Sequence, residues 1–344
     1  AMTNGSGEAV VTLTSGDVGS VTVLAKSGNN GADAGQSKAV NFTSDGQIAD
    51  MIVVNNNANA DGKEKNKVQV TVTHPDGSPL SGEQVNFTAS NSAMPAGPYP
   101  VTTDTSGVAI FELASTTVGL SKVTATLSNL VSRDEYVNFK SIPPQPMQGD
   151  ITVNGWTFGM APLSGSKFPT TGFDGARFIM NPSNFEPGKT YNWTSNRSWL
   201  SVTDAGEVTF TGSPDSNSKT VTITATPQGV GAPLTYTFSV NYWYTNNGNT
   251  KLSWDGARDY CLSRGVSLQS LINLGATGSR ELDTLTGEWG NLTAYSTSGF
   301  INGYYWSSNS SSTPGNHLAV PLTGGFPTGA FDSNPYGVVC VKAQ

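Results

Sequence analysis

The sequence predicts a mainly β protein: tandem β-sandwiches followed by a last domain of mixed α and β structure. Three observations carry that prediction. Charged residues are 12% of the 344, about half the usual ~25%. Gly and Pro number 39 and 19, the composition of short strands joined by many turns. Apolar residues alternate with period two through most of the chain, as they do on one face of a strand. The same composition excludes an all-helical fold, and the length suits several domains.

An internal repeat organises the first 140 or so residues. Residues 6–19 read SGEAVVTLTSGDVG and residues 106–119 read SGVAIFELASTTVG. Ala9, Val11 and Leu13 thereby fall on Ala109, Phe111 and Leu113. The next strands match as well, Val21-Thr-Val with Val123-Thr-Ala and Val40-Asn-Phe with Val137-Asn-Phe. Residues 1–45 then supply only the C-terminal strands of one unit, and its inward face is expected to lack partners. The opening Ala-Met reads as a cloning remnant, so the chain is expected to be a piece of a longer polypeptide.

The complete unit spans 46–143. Val68, Val70 and Val72 alternate with polar residues, and His74-Pro-Asp-Gly supplies a tight turn. Val85 and Phe87 continue the pattern, so that about seven short strands make an immunoglobulin-like sandwich. Ile142-Pro-Pro-Gln-Pro is a stiff linker. A second kind of sandwich follows over 149–243, with strands at Tyr191-Asn-Trp-Thr-Ser, Leu200-Ser-Val, Glu207-Val-Thr-Phe and Thr220-Val-Thr-Ile-Thr-Ala-Thr, and a hairpin turn at Asp204-Ala-Gly.

From 244 to 344 the pattern changes. Ser253-Trp-Asp-Gly-Ala-Arg-Asp-Tyr-Cys has a capping Ser, an acidic first turn and Trp254, Ala257 and Cys261 on one face, which predicts a helix ending near Gly265. A second helix is predicted from Ser279, with Leu282, Leu285 and Trp289 at the same spacing. Strands follow around Tyr304-Tyr-Trp-Ser, Leu318-Ala-Val and Gly337-Val-Val-Cys-Val. The short Asn246-Asn-Gly-Asn connection predicts that this domain and the preceding sandwich form one rigid unit. Cys261 and Cys340 are the only cysteines. They are either one disulfide, with the last strand returning to the first helix, or two buried thiols; their rarity, even number and confinement to one segment favour the disulfide of an exported protein.

Gly107-Val-Ala-Ile-Phe-Glu-Leu-Ala-Ser-Thr-Thr-Val-Gly resembles the bacterial immunoglobulin-like repeat of the intimin/invasin adhesins, and Trp193 to Thr226 is similar to the second bacterial immunoglobulin-like type. The segment with Trp254-Asp-Gly-Ala-Arg-Asp-Tyr-Cys and the ending Gly337-Val-Val-Cys-Val-Lys resembles the C-type-lectin-like tip of the same family. The resemblance implies a rod of immunoglobulin-like sandwiches capped by a C-type-lectin-like domain. It further implies the extracellular part of a bacterial outer-membrane protein that binds a host protein: an integrin, another cell-surface receptor or an immunoglobulin.

The residues argue for binding rather than catalysis. His74 and His317 are the only histidines and fall in different domains, with no nucleophile or metal-ligand spacing around them, so neither enzyme activity, cofactor nor metal is expected. A net charge of −7 with scattered Lys and Arg excludes a phosphate-backbone partner. No apolar run approaches the ~20 residues of a membrane helix, and a monomer not inserted in the membrane is expected. His74 reads as a solvated turn residue, and Asp255 and Asp259 as a solvated helix face. Trp254, Tyr260, Trp289 and Trp306 are assigned to the core. The candidate ligand-binding residues are Phe326, Phe331, Asp332 and Tyr336 in turn-rich segments near the end, with Asn316 and His317 as loop neighbours. Aromatics held on constrained loops are good protein-binding anchors, and Asp332 would be the carboxylate offered to an integrin's metal. The rivals are a carbohydrate-binding module, with sugar stacked on Trp199, Trp243 or Tyr244, and a structural tip that drives self-association.

Overall fold

The computed structural model describes residues 1–15, 18–26, 35–95, 97–161, 167–275, 280–323 and 326–344. The chain divides into two compact units, Ala1–Ile142 and Pro143–Gln344.

In the first unit, a sheet of Gln47–Asn55, Asn66–Thr73 and Val108–Leu113 faces a five-stranded sheet of Ala58–Asn59, Ser132–Lys140, Gly119–Thr126, Gln84–Ala89 and Tyr99–Thr102. The alternation read from the sequence is the alternation of burial. Val68, Val70, Val72, Val85, Phe87, Val123, Val137 and Phe139 are all fully buried, and Phe87 stacks on Phe111 with ring centroids 4.8 Å apart. His74-Pro-Asp-Gly closes its turn by a bond from the Gly77 N–H to the His74 carbonyl, and the His74 ring lies exposed with Nδ1 3.0 Å from Asp45.

Residues Gly19–Ala25 and Gln36–Phe42 form an antiparallel hairpin. Its Val21 is 44% exposed, whereas Val123, its counterpart in the repeat, is 0% exposed. The difference is one of partners, because the same strand motif is covered by an opposing sheet in one place and not in the other. Amides of Asn66–Thr73 should therefore exchange only on global opening, and those of Gly19–Ala25 at least about a hundredfold faster; equal protection by hydrogen-exchange mass spectrometry would contradict this.

The second unit contains a sandwich. One sheet is Gln145–Pro146, Leu234–Ser239, Thr220–Pro227 and Tyr191–Ser195. The other is Trp156–Gly159, Gly149–Val153, Arg177–Pro182, Glu207–Phe210 and Leu200–Val202. The end of the proline-rich linker thus joins a sheet, pairing parallel with Leu234–Ser239. Beyond the sandwich come helices α1 (Trp254–Leu262), α2 (Leu271–Leu274) and α3 (Leu285–Trp289) and a sheet of Tyr304–Ser310, Asn316–Pro321 and Thr328–Phe331. The predicted second helix begins at Leu285, and its expected start, Ser279, lies outside the described residues.

A four-stranded sheet runs from one part of this unit into the other. Thr171–Phe173 pairs with Tyr242–Asn246, which pairs with the last strand Val339–Ala343 and through it with Ser267–Leu268. Gly172 allows this closeness, since a Cβ there would lie 2.8 Å from the Trp243 ring. One hydrophobic core joins sandwich and cap, with Trp289 of α3 inserted among Phe168, Phe173 and Phe210 at centroid distances of 5.2, 5.4 and 5.7 Å. What joins sandwich and cap is this shared core and sheet more than the short connection.

Glu288, next to Trp289, is fully buried. Its carboxylate accepts bonds from the backbone N–H groups of Thr170, Thr171 and Asp283 and from both Thr hydroxyls. The Thr171 hydroxyl itself accepts from the Trp289 indole N–H, and the Thr170 hydroxyl from the Asp283 N–H, so each hydroxyl proton is directed at Glu288. Burial pushes this carboxyl above its ordinary value, and the bonds from Thr170 and Thr171 pull it back down. An amide in its place would turn a donor toward donors. Glu288→Gln should therefore cost about 2–4 kcal/mol, read as a lower urea midpoint at unchanged slope, and an unchanged midpoint would refute this role.

Candidate functional site

Helix α1 begins where the Ser253 hydroxyl accepts the Gly256 N–H, and it buries Ala257 and Cys261. Cys261 is joined to Cys340 across a sequence separation of 79, which ties the helix to the last strand. Both sulfurs are buried with Trp306, Ala319 and Val338 in a small core of their own.

On this base sits the sheet that carries three of the six candidate residues, Asn316, His317 and Phe331. Asn316 lies opposite Phe331 and His317 opposite Ala330, so Asn316 and His317 start a strand instead of lying in a loop, and Phe331 ends one. The strand Thr328–Phe331 was unforeseen because it is four residues long, contains Gly and follows Pro327.

The His317 ring is held on one face and at its edge. It stacks on Trp254 at 3.5 Å with planes 10° apart, and its Nδ1 donates to Asp332 Oδ1 at 2.7 Å. The Trp254 indole donates to the Ser307 carbonyl, and its backbone N–H to the Asp332 carbonyl. Nε2 meets Ser310 Oγ at 3.5 Å, the outer limit of a hydrogen bond. The arrangement holds a strand end; one oxygen of Asp332 is occupied by His317. Trp254, assigned to the core, is only half-buried and carries Arg258 over its ring at 5.2 Å. Asp255 and Asp259, the solvated pair on α1, both contact that guanidinium.

Phe331 is 66% exposed and Phe326 85% exposed. Tyr336 is not free in the same way: its ring is 4.9 Å from Trp306 and 5.7 Å from Tyr304, and its backbone bridges to Leu252. The structure thus brings together Asn316, His317, Phe331 and Asp332. Tyr336 stands against the disulfide core, and no ring contact or hydrogen bond among the described residues ties Phe326 to the others. Sequence reasoning missed Tyr304, 41% exposed beside Tyr336, whose place at the start of a strand could have signalled it. The sugar-stacking alternative on Trp199, Trp243 and Tyr244 is corrected: these are 8%, 4% and 1% exposed, packed in the core of the unit.

The model of the bacterial Ig-like domain (group 1) matches residues 48–140, and that of invasin, domain 4, matches residues 149–238. The chain belongs to the intimin/invasin family of adhesins. Among curated relatives, the inverse autotransporter adhesin YeeJ of Escherichia coli (strain K12) is 33% identical over 192 residues, 55% of this chain and 8% of that protein. The intimin of Citrobacter freundii is 27% identical over 322 residues, 90% of this chain and 30% of that protein. The chain therefore spans less than a third of the length of either adhesin. A crystal structure of invasin, described as a bacterial integrin-binding protein, superposes with a TM-score of 0.52 at 24% identity, covering 96% of this chain and 67% of that one. It shows the shared fold: immunoglobulin-like sandwiches with a partly helical cap.

Within this family member the disulfide is the fastening of α1 to the last strand. Replacing both cysteines by Ala should destabilise the cap by about 4–5 kcal/mol in the chain-entropy limit. Differential scanning calorimetry checks this, and an unchanged transition would contradict it.

Proposed function

We propose that the chain is the non-catalytic, extracellular part of a bacterial outer-membrane adhesin. In this reading residues 1–45 are the C-terminal part of one immunoglobulin-like repeat and 46–143 a complete repeat. Residues 149–243 are the second-type sandwich and 244–344 a lectin-like tip that binds a host protein. The observation that carries it is the exposure of Phe326 and Phe331, large apolar side chains mostly in solvent, with Phe331 beside a strand end braced by His317, Asp332 and Trp254. Phenylalanines left in water while the core excludes it are paid for by a partner that covers them.

Asn316 lies opposite Phe331, His317 and Asp332 brace that strand end, and Tyr336, against the disulfide core, is a further contact candidate. Relatives named invasin and intimin, one described as integrin-binding, support a host receptor, either an integrin, another surface protein or an immunoglobulin. The chain acts as a monomer that presents this surface, and no nucleic acid is bound. Phe326→Ala with Phe331→Ala should weaken capture on immobilised integrin ectodomains or immunoglobulins by at least about tenfold while leaving the melting temperature unchanged. Binding that persists undiminished in the double variant would exclude this surface.

A further inference from the structure

A second surface in the Pro143–Gln344 unit has the chemistry of a ligand site and lies apart from Phe326 and Phe331 in the fold. The hairpin joining Gly149–Val153 to Trp156–Gly159 turns at Asn154-Gly155, where both residues have positive φ. Its tip reaches the end of α3, with Asn154 Nδ2 donating to the Trp289 and Asn291 carbonyls at 3.1 Å each. Trp156, the first residue of the outgoing edge strand, is 54% exposed. The other tryptophans are half-buried or buried.

Against its ring stands Arg280, with the guanidinium carbon 5.3 Å from the Trp156 centroid and 5.9 Å from that of Phe158. Nη2 donates to the Val153 and Glu288 carbonyls at 3.1 and 2.9 Å. Nε is buried without a hydrogen-bond partner. No salt bridge to Arg280 occurs among the described residues, and its Nη1 makes no hydrogen bond there. Nη1 is packed so close to Gly290 that a Cβ would come within 2.1 Å of it, and Gly290 holds a φ of 68° that side chains disfavour. A cation drawn partly out of water, satisfied only by neutral carbonyls and aromatic faces, leaves a full positive charge for an incoming anion. A flat indole at its edge supplies the apolar half of a recognition surface. The exposed Asn154 and Asn291 add amide groups around it.

From this juxtaposition we infer that Trp156 and Arg280 form a binding site for a carboxylated pyranose of a glycan, the sugar ring lying on Trp156 and its carboxylate meeting Nη1 of Arg280. Indole provides the face on which a ring of axial C–H groups packs, and the guanidinium provides the charge-assisted bond. The carboxylate could come from a sialic acid or from a uronic acid; both present the same group on a saturated ring.

The test is titration of the whole chain with 3′-sialyllactose, with digalacturonate and with neutral lactose, followed by the indole N–H resonances in a nitrogen-correlated NMR spectrum. The Trp156 signal is expected to shift with one or both acidic sugars, with affinity at least about tenfold above lactose, and whichever acidic sugar binds more tightly names the source. Trp156→Ala, at an exposed position, should abolish binding with the other indole signals in place. Arg280→Lys, which keeps the charge, should weaken binding without lowering the melting temperature by more than a few degrees. If no acidic sugar moves the Trp156 resonance, or if lactose moves it equally well, the assignment is wrong. It is also wrong if Trp156→Ala binds as before.

Discussion

A buried carboxylate with every lone pair accounted for is the constraint on which the second unit depends. Glu288 cannot be solvated where it sits, so its charge is tolerable only if Thr170, Thr171 and Asp283 hold their donors on it. Those donors belong to the sandwich and to the cap alike. Moving the cap relative to the sandwich would strand the charge, and would also open the aromatic cluster around Trp289. Polar fixation and apolar burial therefore favour one relative position, the first by direction and the second by area.

That position also bears on the proposed binding surface. The exposed Phe331 ends a strand of the three-stranded sheet of the cap; the cap is fastened by the Trp254–His317 stack with its bond to Asp332, by the disulfide between Cys261 and Cys340, and by the shared sheet of Tyr242–Asn246 and Val339–Ala343. On the function proposed above, a loosely hinged cap would lose orientational freedom when it bound a partner, whereas a fused unit has lost that entropy during folding.

Much of this was legible in the sequence. The strands Tyr191–Ser195 and Leu200–Val202 end where alternation stops, and α1 starts at the Ser253 cap with its cysteine facing inward. These are local signals, read within a window of ten residues. The repeat at an offset of 100 marked Ala109, Phe111 and Leu113, which are buried, but its first copy at Ala9, Val11 and Leu13 lies in no strand and is exposed, because no strand among the described residues is there to pair with it. What stayed hidden was non-local. Glu288 looks like any acidic residue near a helix start, because its partners Thr170 and Thr171 are more than a hundred positions away. Trp199, Trp243 and Trp156 are indistinguishable as letters, yet the first two fill the core and the third lies on an edge strand. Asn316 and His317 read as loop because the strand that pairs with them, Thr328–Phe331, has almost no strand signature.

The most direct measurement is native-state hydrogen exchange of the whole chain as a function of low denaturant, resolved to peptides in Thr220–Pro227 of the sandwich and in Tyr304–Ser310 and Val339–Ala343 of the cap. If the buried carboxylate and its aromatic surround make sandwich and cap one cooperative body, the slowest amides of all three segments open with a common free energy and a common denaturant slope. Cap segments that open at a clearly lower free energy, with the sandwich still protected, would show two independent domains and contradict the account.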